Sequence, residues 1–536
     1  MSASVSWDRF RERLCRVPDL GMTLDLSRMN IEPDLFDRMN GPMEAAISAM
    51  GALEAGGLAN PDEQRRVGHY WLRDPDRAPE PAMADAIRRC VAELQQFAGD
   101  VHRGAIHPPN ADGFYLALTI GMGGSILGPQ LLDDALRTPE DPVLLRFIDN
   151  TDPAGLCRVF AELDDSLAQT LTIISSKSGG TVETRNAMRE AEAAYRRLGL
   201  DFARHAVAVT CEGSTLDREA QQQRFLRVFP MWDWVGGRTS VTSAVGLLPA
   251  GLQGIDTEAF LAGARACDAA TRARPWQQNP AALLALAWLA AGEGRGRRSM
   301  VVLPYADQLG LLGRYLQQLV MESLGKARDR AGREVHQGLT VYGNKGTSDQ
   351  HAYLQQLLEG PDDFFVSFVR VLQQPDPEGV FVEEEITSGD YLSAFWLGSR
   401  QALTDAGRQS LTLTLPDIDA RSMGALIALF ERAVGLYAEV INVNAYHQPA
   451  VESQKRAARR IIDLQRAVMA LLRGSGEPLS AASIAARLDQ PDATEDVFHV
   501  LEHLGACTGR GVRKLGSGDE DSVGFEFREV KGRRPQ

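Results

Sequence analysis

Short apolar runs recur at regular intervals after Phe114: "FYLALTI", "VLLRFIDN", "LTIISS" and "HAVAVT", each followed by a helix-length stretch. Strands buried on both faces read as near-continuous apolar runs, and strands alternating with helices build a parallel sheet covered on both sides. A helical stretch intervenes, and the alternation restarts in "SMVVLPYAD", "GLTVYGN", "FFVSFVRV" and "SLTLTLPD". The expected fold class is therefore α/β, with two doubly wound parallel-sheet domains and helical flanking segments. Up to about Arg103 the chain reads as helical, because "PAMADAIRRCVAELQQFAGDVH" repeats apolar residues at helical spacing and no β-branched run precedes it. From about Met423 to Leu472 the pattern is helical again. After Gly474, "LSAASIAARLDQ" and "TEDVFHVLEHLGA" read as two helices, and "GVRKLGSGDEDSVGFEFREV" as a hairpin with a Gly/Asp-rich turn. That is the outline of a small winged-helix-like module. The expected domains are 1–105 (N-terminal helical segment), 106–265 and 266–455 (two α/β domains, the second with a helical return) and 456–536 (C-terminal extension).

A chain of 536 residues has room for more than one core. Its net charge of −14 disfavours nucleic acid or an anionic membrane as partner, although a local site can still be positive. The tail from Gly474 holds eleven acidic against eight basic residues, which tells against DNA binding by its winged-helix-like outline. A protein-contacting or dimer-stabilising role is expected there. The six cysteines have no paired spacing and read as reduced thiols. "MSASVSWDRFRERL" has no apolar signal core, and "AALLALAWLAA" from Ala281 to Ala291 is too short to span a bilayer. A cytoplasmic protein with no membrane association is expected.

Candidate chemistry gathers at strand ends. In an open parallel sheet, ligands bind at the C-terminal ends of strands, where helix N-termini offer free N–H groups. "YLALTIGMGGSILGP" runs a strand into Gly121, Gly123, Gly124 and Ser125. "LTIISSKSGGTVET" runs another into Ser175, Ser176, Lys177, Ser178 and Thr181. Glycines admit an anion to the backbone, hydroxyls donate hydrogen bonds, and Lys177 adds a point charge. Neither loop matches GxxxxGK[ST] or GxGxxG, so a monophosphate fits better than a nucleotide with magnesium. Later stretches add Arg238 in "GGRTSVTSAVGLLP", Gln318 and Glu322 in "QQLVMESLGK", His351 in "GTSDQHAYLQQL", and Gln448 and Lys455 in "YHQPAVESQK". Read singly, each is a bland polar residue: Glu322 on a solvated helix face, His351 capping a turn, Arg238 in a salt bridge, Lys455 a surface charge.

Taken together and in this order, these stretches resemble the glucose-6-phosphate isomerase family from about Phe114 to Lys455. Its two signature blocks are recognisable as "VGGRTSVTSAVGLLP" and "YHQPAVESQK". The resemblance implies sugar-isomerase (SIS-like) α/β domains and assigns roles. Gly124, Ser125, Ser176, Lys177, Ser178 and Thr181 bind the substrate's phosphate end, and Glu322 is the base moving a proton between C1 and C2. Arg238 stabilises the enediolate, His351 and Lys455 serve ring opening, and Gln318 and Gln448 orient the sugar. It also implies glucose 6-phosphate and fructose 6-phosphate as substrates, no cofactor, no metal, and a homodimer with His351 contributed across the interface. One partly desolvated carboxylate on one face of an enediol, with a fixed cation for the oxyanion, suits such chemistry.

Two positions depart from the family pattern: Leu324 stands where Asn is usual, and Gly180 where Thr is common. "HVLEH", His499 to His503, matches the HxxEH pattern of some zinc peptidases but lacks a third ligand nearby, so two helix-face histidines are expected. Two other functions remain open at this point. A non-catalytic sugar-phosphate sensor with a winged-helix module would need the cradle but not Glu322, Arg238, His351 and Lys455. An isomerase for another phosphosugar, such as mannose 6-phosphate, would be separated by a substrate panel.

Overall fold

The computed structural model describes residues 5–272, 275–373, 379–516 and 523–529. It divides into two compact units, Met1–His447 and Gln448–Gln536. In the first unit a five-stranded sheet has the order Leu144–Ile148, Leu116–Ile120, Thr170–Ser175, Ala206–Thr210, Arg227–Pro230, with every pairing parallel. The continuous apolar runs have a direct cause. Side chains alternate across a strand, so Val207 and Val209 face the main core while Ala206 and Ala208 face a second cluster. Each fully buried Leu, Ile or Val contributes about 1.5–3 kcal/mol, so a sheet covered on both faces collects this twice.

The strand order reverses between Leu116–Ile120 and Thr170–Ser175, which are adjacent in the sheet. A crevice forms outside the strand ends at such a reversal. The loops leaving those two strands are the two glycine- and hydroxyl-rich loops singled out from the sequence.

The second sheet runs Leu14–Val17, Met22–Arg28, Ser410–Leu415, Phe364–Val371, Ser299–Pro304, Val341–Tyr342. Its last four strands are parallel and repeat the crossing order of the first sheet. The first two correct the expectation of an all-helical N-terminal segment. They form an antiparallel hairpin, and Met22–Arg28 pairs antiparallel with Ser410–Leu415. "MTLDLSR" hides its strand character because its inward positions include polar residues. Asp25 and Ser27 are buried, Asp25 meets Arg400 at 2.5 Å, and it accepts the Ser27 N–H at 2.8 Å. The helices Pro33–Glu54 and Pro81–His102 fall in the region read as helical. Helix Pro280–Gly292 is buried nearly all round, as its apolar run implies, and among the described residues no helix is long and apolar enough to cross a membrane.

The helical layer encloses a buried set of charges. Arg73 is fully buried and donates to both Asp268 oxygens, at 2.6 and 2.8 Å, and to Glu431. Arg432 pairs with Glu54, which also accepts from Arg272 Nε at 2.8 Å. The Tyr70 ring lies 5.0 Å from each of the Arg73 and Arg432 guanidinium carbons. Burial pushes the Glu431 carboxyl upward against the pull of Arg73.

The second unit holds helices Pro449–Gly474, Ala481–Arg487 and Thr494–Ala506 and the antiparallel strands Val512–Leu515 and Gly524–Phe527. Val468, Leu472, Ile484, Val497, Leu501, Leu504 and Phe525 form its core. The Gly/Asp-rich turn expected between the strands falls at 517–522, outside the described residues. His499 and His503 lie exposed on one helix, and among the described residues no group of His, Cys, Asp and Glu is placed to hold a metal ion.

Removing one member of a buried ion network leaves its partners uncompensated, at about 3–5 kcal/mol. Asp268→Ala is expected to lower stability by that amount, measured as the midpoint of urea unfolding. An unchanged midpoint would show that the network does not contribute as described.

Candidate active site

The first loop brings backbone against backbone. Gly123 takes φ +54° just before helix Gly124–Leu136, and a Cβ there would lie 2.9 Å from Gln318 Nε2. A Cβ on Gly124 would lie 1.9 Å from the Gly237 carbonyl oxygen, so only glycine lets the two loops touch. Ser240 Oγ seals the contact by donating to Gly237 O at 2.7 Å and Gly124 O at 3.2 Å. Ser125 follows in the first turn of the helix, partly exposed.

The second loop is shaped by the strand beside it. Thr210 Oγ1 donates to Ser176 O at 2.6 Å, and buried Ser176 turns its hydroxyl to Thr181 Oγ1 at 3.4 Å. Gly179 takes φ +66°, and a Cβ there would sit 2.3 Å from Leu216 N. Thr181 precedes helix Val182–Arg197 and makes no side-chain cap bond to it. The first N–H groups of that 16-residue helix thus point toward the loop that carries exposed Ser178. Lys177 behaves differently from the hydroxyls. Its Nζ donates to Asp233 O at 2.6 Å and Val235 O at 2.8 Å, which ties this loop to the segment leading into Gly236, Gly237 and Arg238. Burial lowers its pKa, and Arg65 nearby lowers it further.

Arg238 and Glu322 meet at the centre. Arg238 is 6% exposed, and its Nη1 donates to Ala445 O at 3.0 Å and Ser323 Oγ at 3.2 Å. Its Nε lies 3.4 Å from Glu322 Oε2. Burial lowers the arginine's pKa against the opposing pull of Glu322. Gln317–Glu322 is π-helical, continuing the α-helix Leu312–Leu316, and such insertions recur at functional sites. Gln318 and Glu322 both stand on it, four residues apart.

Several groups around this centre escaped the sequence reading. The turn holding Asp62, Glu63 and Arg65 is closed by mutual Asn60–Arg65 backbone bonds. Asn444 donates to Asn60 Oδ1 at 2.9 Å and Asp62 Oδ2 at 2.5 Å, and His447 Nε2 lies 3.6 Å from Asp62. Lys326 is buried, and its Nζ donates to Glu322 O at 2.7 Å and Ser323 O at 2.8 Å. Burial, with Arg238 beside it, pushes that ammonium down to about 7. A lysine following a helix-ending glycine, as in "MESLGK", is the signal that could have marked it.

His351 ends the short turn Ser348–His351 and is exposed. The turn is fixed from behind: buried Asp349 accepts the Asn344 N–H at 2.7 Å and the Tyr353 hydroxyl, while Gln350 Nε2 donates to Tyr305 OH at 2.8 Å and Phe395 O at 3.2 Å. Gln448 and Lys455 belong to the second unit, Gln448 immediately before helix Pro449–Gly474 and Lys455 within it.

The model of the phosphoglucose isomerase family matches residues 25–403. The glucose-6-phosphate isomerase of Geobacter sulfurreducens is 56% identical over 513 residues, covering 96% of this chain and 97% of that protein. The chain belongs to the glucose-6-phosphate isomerase family. The family's member from Thermosynechococcus vestitus is 53% identical over 98% of this chain and 99% of its own. An alignment of that extent takes in the C-terminal unit, so the tail is shared with close relatives. A crystal structure of the Chlamydia trachomatis glucose-6-phosphate isomerase superposes with a TM-score of 0.78 at 27% identity, over 87% of this chain and 93% of that one.

Against the family pattern, the two departures have different settings. Leu324 is fully buried in the main core. Gly180 is exposed, and a Cβ there would meet only Ser178 Oγ, at an ordinary 3.5 Å, so the loop has room for the threonine common in the family.

Lys177→Ala removes two charge-assisted bonds between the hydroxyl loop and the arginine loop, each worth about 1.5–3 kcal/mol. It is expected to raise the KM for a phosphorylated sugar tenfold or more; an unchanged KM would show that the tether does not serve binding. Lys326 gives a second expectation. The unfolded chain keeps this proton to about 10.5 and the folded chain releases it near 7, so unfolding takes up a proton between those limits and stability rises with pH there. From pH 7 to 9.5 the urea-unfolding stability of the wild type should gain about 1–3 kcal/mol on Lys326→Met. Parallel pH curves for the two proteins would refute the assignment.

Proposed function

We propose that this protein interconverts glucose 6-phosphate and fructose 6-phosphate, with Glu322 as the single base. The observation that carries the residue assignment is the approach of Arg238 Nε to Glu322 Oε2 at 3.4 Å, beside the two loops at the strand-order reversal. In this reading Ser125, Ser176, Ser178, Thr181, the Gly124 backbone and Lys177 hold the phosphate end. The sugar ring opens with the help of His351 and Lys455, while Gln318 and Gln448 orient the open chain. The Glu322 carboxylate takes the proton from C2 of the aldose, leaving a cis-enediolate. Arg238 supplies fixed positive charge to the developing oxyanion without reorganising at that moment. The same carboxyl then returns the proton to C1, while the O2 proton is lost and O1 gains one, giving the ketose.

A homodimer belongs to this reading, with His351 delivered to the partner's site. Two features support it. His351 is exposed at the tip of a braced turn rather than folded into its own unit. The small hairpin Phe381–Glu383 and Ile386–Thr387 also sets out apolar side chains, Val380 and Phe381 being 60% and 64% exposed, and Val380 shares a surface cavity with Phe395. Large apolar side chains exposed together in this way mark a surface that is covered in use. A cytoplasmic setting and a protein-contacting or dimer-stabilising tail complete the proposal. The sensor reading is set aside, since the isomerase name is carried by relatives that align over nearly the whole chain.

The test is purified protein with fructose 6-phosphate, glucose 6-phosphate being followed through a coupled dehydrogenase. Turnover should be present in the wild type and fall by about 10²–10⁴ in Glu322→Gln, with sugar-phosphate binding retained. Wild-type-like turnover in that variant would assign the base to another residue.

A further inference from the structure

A π-turn ends with carbonyls displaced from the regular helical ladder, and those carbonyls need donors. At the end of the turn that carries Glu322, the Ser323 N–H donates to Val320 O and the Gly325 N–H to Met321 O, the latter at 2.8 Å. The carbonyls of Glu322 and Ser323 are both taken by Lys326 Nζ, at 2.7 and 2.8 Å. Lys326 is only 6% exposed. Burying an ammonium is costly, and a methionine of similar length would not carry that cost. The amine is therefore held for what it donates to, since its N–H bonds can serve both carbonyls whether or not it carries the extra proton.

Four charged or titratable groups face it: Arg238 from the Gly236–Ser240 loop, Glu322 from the π-turn, Asp62 from the N-terminal turn, and His447 from the returning chain. Its hydrogen-bond partners are nevertheless the two carbonyls. Arg238 holds Ser323 Oγ and faces the Glu322 carboxylate. The residue bearing the carboxylate is thus gripped through its backbone by the Lys326 amine and faced at its side chain by the Arg238 guanidinium.

We propose that Lys326 is a positioning residue for Glu322: by bridging the carbonyls of residues 322 and 323 it fixes the π-turn, and with it the place of the carboxylate. This rests on the reading of Glu322 as the base. A misplacement of about 1 Å at a reacting group can cost on the order of 10²-fold in rate, and the lysine acts against that.

The test compares Lys326→Met, Lys326→Arg and Glu322→Gln by kcat, KM for fructose 6-phosphate, circular dichroism, and the isotope effect on kcat with glucose 6-phosphate deuterated at C2. Lys326→Met is expected to fold, to lose kcat tenfold or more with KM within threefold, and to show a larger isotope effect, because proton transfer becomes the slower step. Lys326→Arg, which keeps donors, should recover part of kcat. The proposal is overturned if Lys326→Met keeps kcat within twofold of the wild type. It is equally overturned if kcat falls with the isotope effect unchanged, the mark of a merely structural loss. Lys326→Gln carries the same measurements should the methionine variant not fold. Turnover surviving in Glu322→Gln would instead bring down the base assignment, a failure read in that variant alone.

Discussion

Arg238 donates to the carbonyl of Ala445 and the hydroxyl of Ser323 while facing the carboxylate of Glu322, so one buried side chain joins three stretches more than eighty residues apart. Its own loop is placed by the Gly124–Gly237 contact and by the Lys177 tether to Asp233 and Val235. The loops from two neighbouring parallel strands therefore reach the candidate base through a single guanidinium. A lysine could not replace it: a compact ammonium lacks the planar fork that serves a carbonyl, a hydroxyl and a carboxylate at once.

The parallel strands were legible because a strand covered on both faces is apolar along its whole length, and each quoted run coincides with a strand. Arg227–Pro230 was not, being a four-residue edge strand that begins with arginine and ends with proline. The N-terminal hairpin was missed for another reason. Its strand Met22–Arg28 joins the sheet by pairing with a distant segment, and its buried Asp25 and Ser27 break the apolar pattern that would announce a strand. In the site, glycines and hydroxyls were readable from their places after strands. Asp62, His447 and Lys326 were not, since each acquires its meaning only from neighbours that folding brings near. Lys177 was readable as a cation beside the cradle, but its engagement by two carbonyls was not.

The same limit applies to the buried charges. Glu54, Arg73, Asp268, Glu431 and Arg432 look in the sequence like ordinary surface residues of amphipathic helices. They come from four separate helices and find one another inside. Such a network adds little net stability compared with apolar packing, but it is intolerant of partial assembly. Helices that carry matched charges can dock in one arrangement, and mismatched docking would strand an ion in the core.

The antiparallel pairing of Met22–Arg28 with Ser410–Leu415 has a consequence for biosynthesis. The earlier strand leaves the ribosome roughly 380 residues before its partner, and at about 5–20 residues per second it waits on the order of 20–80 s. The five-stranded sheet, whose strands all lie between Leu116 and Pro230, can close during that interval. The six-stranded sheet cannot, because its register is completed only once Ser410–Leu415 has emerged, and until then Met22–Arg28 keeps an unpaired edge.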